Sequence, residues 1–165
     1  MDNTVRDSVW RQYGAAIDTL DDAIRLCPDS LWTLALWKDP DNAAFGQFWF
    51  LAYHTLRWLD VFLAGTQEGF VPPPPFLVGR LPEKPYAKSD VLAYLAACRK
   101  KCQSTLESLT EERANQRCVF EWMEPNYLEL QLYSLRHVQE HAAQLSLALG
   151  QQGVEGFDWI PKARG

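Results

Sequence analysis

Leu135-Arg136-His137-Val138-Gln139-Glu140-His141-Ala142-Ala143-Gln144-Leu145 is the stretch on which the reading of this chain turns. Its two histidines stand four residues apart. Residues at that spacing are neighbours on one surface of an α-helix. Both imidazoles can then converge on one ion at about 2.0–2.1 Å, the length of a zinc–nitrogen bond. Leu130, Tyr133, Ser134, Gln144 and Ala148 lie on the same stripe. Most of these suit a core face, so the rings are expected to point inward. The pattern differs from the His-Glu-x-x-His of zinc proteases, in which the glutamate is the base. Val138 stands where that base would be, and Glu140 falls to one side of the pair.

The chain has three histidines in all, and the third is His54. Helical spacing surrounds it with Phe50, Leu51, Trp58 and Val61. An imidazole in that setting needs a hydrogen-bond partner or a metal, because an unsatisfied buried polar group costs about 1–3 kcal/mol. Facing helices of a bundle commonly build metal sites in this way. From the residues alone two readings stand: one divalent ion on His54, His137 and His141, or three hydrogen-bonded interior histidines. Tyr133, one turn before His137, is a candidate hydrogen-bond donor to a substrate. Gln144, one turn after His141, is a candidate for orienting a ligand. Plain packing is the alternative for both.

Outward from these residues the chain reads as four long helices. The first spans about Thr4 to Cys27, with Val5, Val9, Tyr13, Ile17, Leu20 and Ile24 at steps of three and four, and Pro28 stops it. A connector, Pro28 to Asp41, carries Trp32 and Trp37 and is expected to pack on the body. The second helix is expected to start at the Asp41-Asn42 capping signal and to end before Gly65. It is apolar nearly all round, so it sits centrally or lends a face to a partner subunit. Residues 66–88 hold Pro72 to Pro75, Pro82 and Pro85, which favour an extended path. Such a path covers about 3.3 Å per residue and can cross a bundle, which allows parallel second and third helices. Ser89 is the expected N-cap of the third helix, with Val91, Leu95, Cys98, Cys102, Leu106 and Leu109 on its apolar face. A polar connector follows around Glu111 to Asn115. The fourth helix is expected after Pro125, to about Leu149, with Gly150 as its C-terminal cap. Phe157, Trp159 and Ile160 in the tail are candidates to dock on the body.

At 165 residues and 47% hydrophobic the chain is the size of one domain, 1–165, with ample core material. Its net charge of -5 and the absence of a basic stripe argue against nucleic acid. The longest basic cluster is Arg99, Lys100 and Lys101. The N-terminus lacks the pattern of a signal peptide, and the most apolar stretch, Ala43 to Gly65, carries Gln47, His54, Arg57 and Asp60. A soluble, cytoplasmic protein with no membrane partner is expected. Cys27, Cys98, Cys102 and Cys118 are expected to be free thiols. Cys98 and Cys102 share a helical face, read as core, with a metal-binding thiolate pair as the alternative.

Two segments together resemble the DinB/YfiT-like superfamily: Tyr53-His54-Thr55-Leu56-Arg57-Trp58-Leu59-Asp60, and Leu135 to Leu145 quoted above. The family pattern is a histidine in the second helix and a His-x3-His pair in the fourth, and the likeness covers essentially the whole chain. The resemblance implies an all-α four-helix bundle, up-down-down-up, with a long crossover between helices two and three. It implies a divalent metal, usually zinc or nickel, on the three histidines. Known members include thiol-dependent S-transferases and a mycothiol-dependent isomerase. Three protein ligands leave a tetrahedral site one position open, where a thiol can lose its proton or a water can become a nucleophile. The expected activity is transfer of a low-molecular-weight thiol to an electrophilic small-molecule substrate. The alternatives are a metal-dependent hydrolase, or a non-catalytic bundle held by the metal, with Trp-rich surfaces forming a homodimer.

Overall fold

The computed structural model describes residues 2–165. Among them are five α-helices and no strand: α1 (Asn3–Leu26), α2 (Phe48–Ala64), α3 (Lys88–Glu107), α4 (Glu111–Asn115) and α5 (Tyr127–Gln151). The four long helices share one core, with α1 and α2 each packed against both α3 and α5.

The Asp2 carboxylate accepts the Thr4 N–H at 2.8 Å and caps α1. Tyr13, Ile17, Leu20 and Ile24 are fully buried from its apolar face. Each contributes about 1.5–3 kcal/mol by leaving water. The helix stops where Cys27 turns extended before Pro28.

The second helix starts later than the Asp41-Asn42 signal suggests. Asn42 does cap, but it caps a short 3-10 turn, Ala43–Gly46, by accepting the Ala44 N–H. The reason lies in the connector. Leu36 N–H donates to Gly46 O, Phe48 N–H to Leu34 O, and Trp49 N–H to Trp32 O. This short pairing holds residues 46–48 away from helical geometry, so α2 begins only at Phe48. Gly46 permits the approach: a Cβ there would stand 2.2 Å from the Trp37 carbonyl oxygen. At the other end Gly65 takes φ 83 and its N–H closes on Val61 O and Phe62 O, as the sequence suggests.

The proline-rich segment lies between α2 and α3 and covers part of α2. Phe76 stacks on Tyr53 with centroids 5.1 Å apart, and Tyr86 meets Tyr53 and Trp49 edge-on. The apolar circumference of α2 is thus largely buried by its own chain. Helix α3 opens one residue before the expected Ser89 cap, with Ala87 at the N-cap. Lys88 is held there by Cys27 O at 2.9 Å and Asp29 at 3.0 Å.

The polar connector after α3 contains a helix that hydrophobic periodicity does not reveal. Helix α4 is capped by Thr110, whose hydroxyl accepts the Arg113 N–H. Pro125 lies outside α5; Asn126 is the N-cap and accepts the Glu129 N–H at 2.9 Å. Gly150 lies within the last turn of α5 rather than capping it, and Gly153 supplies the positive φ. Of the three expected docking residues, Phe157 packs against the core and Ile160 is half-buried, while Trp159 is 85% exposed; the tail's backbone and Arg164 add further contacts. Asp18 accepts the Arg164 N–H at 2.7 Å, and Ala163 N–H donates to Arg11 O. Among the described residues, no helix is long and apolar enough to cross a membrane.

Candidate metal centre

Two buried hydrogen bonds set how α5 lies on α2. The Tyr127 hydroxyl donates to Leu63 O at 2.7 Å, and the Gln131 amide donates to Phe62 O at 2.9 Å. From these anchors α5 runs back along α2. His137 and His141, about two to four turns beyond them, therefore come to face His54. The His54 ring centroid is 5.4 Å from each of the other two, and those two are 4.4 Å apart. One nitrogen from each ring can be chosen so that all three lie within 4.8 Å of one another. His137 Nε2 and His141 Nε2 are 3.0 Å apart. Two nitrogens bound to one tetrahedral ion at 2.0–2.1 Å would stand roughly 3.3 Å apart, close to this separation.

The surroundings keep two of these rings neutral. Burial pushes His54 down to about 4, with the neighbouring His141 and Arg57 adding to it. Burial, then His141 and His54, pushes His137 down to about 3. Phe50 and Trp58 flank the His54 ring, and Phe62 stands perpendicular to His137. A proton is thus disfavoured where two lone pairs are available, which is the state a metal requires of its ligands.

Gln144 fixes the tautomer of the third ring. Its amide oxygen lies 2.8 Å from His141 Nδ1 and can only accept, so Nδ1 carries the proton and the Nε2 lone pair faces His137. Such partners orient metal-ligating histidines and raise their basicity. His137 Nδ1, on the side of the ring away from His141, is buried without a hydrogen-bond partner, which costs stability. The donor set and its polarity fit one divalent ion.

The structure thus brings His54, His137 and His141 together and sets Gln144 against a histidine rather than against open space. Tyr133 is half-buried, edge-on to Phe62 at 5.5 Å. Glu140 is exposed, off the cluster. Cys98 and Cys102 lie in the core, where burial raises both thiols, and among the described residues neither joins a metal-capable cluster. Sequence reasoning missed the cleft of about 270 Å³ that opens beside His54. Arg57 lines it from α2 and Arg80 from the proline-rich segment. Arg57, three residues after His54, was legible from helical spacing. Arg80 carried no such signal, because it arrives by a non-helical path.

No curated protein and no solved structure matches the chain. A family model described as the DinB superfamily matches residues 7–145, which include all three histidines and run from the first turns of α1 through most of α5. With a match over most of its length, and with the histidines of α2 and α5 gathered at one point, the chain belongs to the DinB superfamily.

Proposed function

We propose that the protein is a metal-dependent transferase that joins a small thiol to an electrophilic substrate, with His54, His137 and His141 as ligands of one zinc or nickel ion. The carrying observation is the cluster itself: three imidazoles and, among the described residues, no fourth side chain completing the set. A divalent ion held there lowers the pKa of a thiol or water that reaches its open position. The chain's residues do the rest. The aromatic walls of Phe50, Trp58 and Phe62 limit water around the rings. Gln144 holds His141 in the ligating tautomer. The cleft beside His54 offers a small molecule access from one side.

The test has two stages. Purified protein should carry about one equivalent of zinc or nickel, and His137→Ala should lose it. Loaded protein should then speed conjugation of an electrophile with bacillithiol, mycothiol, glutathione or cysteine, and chelation should abolish the rate. Equal metal in wild type and variant after dialysis would remove these ligands from consideration. Metal without any thiol-dependent rate would favour the structural role.

The accompanying architecture is one domain over 1–165, an up-down-down-up bundle in which the proline-rich segment is the crossover. Contacts at opposite ends of each pair support it. Arg6 meets Leu109 O while Asp18 meets Arg99, so α1 and α3 oppose. Leu63 meets Tyr127 while His54 meets His141, so α2 and α5 oppose. Tyr53 meets Tyr86 while Asp60 meets Lys101, as expected of parallel α2 and α3. A cytoplasmic location, where small thiols stay reduced, goes with the same reading.

A further inference from the structure

The cleft beside His54 is lined by two arginines and several apolar side chains. Phe45, Phe50 and Leu77 are half-buried along it, and Leu81 lines it from the proline-rich segment. Arg57 and Arg80 both line it. Neither forms an ion pair among the described residues, although the chain carries a net charge of -5 and six other basic residues do. Arg57 is half-buried, and its guanidinium lies 5.1 Å from the Trp58 ring centroid, leaving the fork supported but without a carboxylate. Guanidinium forks match planar carboxylates bidentately, and they are over-represented where such groups are recognised. Ligand pockets typically combine apolar walls with a few placed polar groups. The volume, about 270 Å³, suits a molecule of roughly a dozen non-hydrogen atoms.

We propose that this cleft binds a small organic carboxylate, its acid group on Arg57 and Arg80 and its apolar body against Phe45, Phe50 and Leu77, with one end directed to the trihistidine cluster. That this ligand is the substrate or thiol partner rests on the metal-dependent reading above; the binding itself does not. Two guanidiniums from different parts of the chain select for the acid, and the apolar lining selects for the body. Arg80 rides on the segment joining α2 and α3, so ligand binding ties that segment to α2.

The experiment uses the full-length protein, as purified and again after chelation, with 3-phenylpropionate and its primary amide as probes. Isothermal titration should show the acid binding about ten-fold or more tightly than the amide, the scale expected of charge-assisted bonds. Arg80→Gln, at an exposed position, should cut that preference several-fold while metal content stays at the wild-type level. Arg57→Gln should remove most of it, and Arg57→Lys should restore part. Equal affinity for acid and amide would overturn the proposal, as would a preference unchanged in both glutamine variants. So would tighter binding of phenyl phosphate than of the carboxylate. A preference that survives chelation and falls in the arginine variants supports the cleft even if the trihistidine site holds no metal. Metal binding with no preference would sink the cleft reading alone.

Discussion

Gln144 offers the sharpest probe of the metal site because it is exposed and its side-chain hydrogen bond goes to the outer nitrogen of one ring. Its oxygen receives the His141 Nδ1 proton at 2.8 Å. Without it, His141 can rotate or take the other tautomer, in which Nε2 carries a proton and cannot ligate. Outer-shell partners of this kind typically matter 10–100-fold in metal affinity. Water competes for a bond at the surface, where a hydrogen bond contributes about 0.5–1.5 kcal/mol net, or roughly two- to twelve-fold. The lower scale should govern here. Gln144→Ala is therefore expected to weaken zinc binding by about two- to twelve-fold, with no loss of thermal stability in the metal-free protein. Gln144→Glu should hold or raise affinity, because a carboxylate accepts the same proton and makes the ring more basic. Competition with a chromophoric chelator at pH 7.5 gives both numbers. If the two variants bind zinc identically to wild type, His141 is not oriented through Nδ1. If Gln144→Glu is the weaker of the two, the tautomer argument is wrong.

Two further expectations follow from the same residues and from the tail. His54 and His137 sit below their unfolded value near 6.5, so the unfolded chain binds more protons as the pH falls. Metal-free protein should lose stability as the pH falls from 6.5 to about 3 and show no contribution from these groups above 7. Urea midpoints across that range, set against His54→Phe, test it, and an equal pH dependence in the two proteins would refute it. Asp18 is buried and receives both the Arg99 guanidinium at 2.7 Å and the Arg164 N–H at 2.7 Å. Asp18→Asn should cost on the order of 2–3 kcal/mol and open the last residues to carboxypeptidase. A tail as protected as in wild type would contradict that account.

The periodicity of Tyr13, Ile17, Leu20 and Ile24 was enough to locate α1 and its buried face, because a stripe at helical spacing has one favourable solution. The same holds for α5 and for the paired faces of His137 and His141. Their spacing is a local property of one helix, so it can be read without knowing what lies opposite. Gly65 likewise announced the end of α2, since the backbone there needs a positive φ.

What the sequence determined by itself was therefore local: which residues are helical, which faces are apolar, and that His137 and His141 share a surface. Tertiary structure decided everything that needs a second segment. Asn42 looks like a helix cap in isolation, yet residues 46–48 are claimed by hydrogen bonds from residues 32–36, a pairing no window of sequence contains. Helix α4 escaped because five residues bury little apolar surface and owe their form to Thr110 and to packing on α5. The facing of His54 and His141 depends on where α5 is anchored to α2 by Tyr127 and Gln131. The cleft depends on the path that carries Arg80 back past Arg57. Contacts between distant segments reflect the sum of all packing and hydrogen bonding in the folded state. Short-range pattern carries the helices, and only the assembled core carries the site.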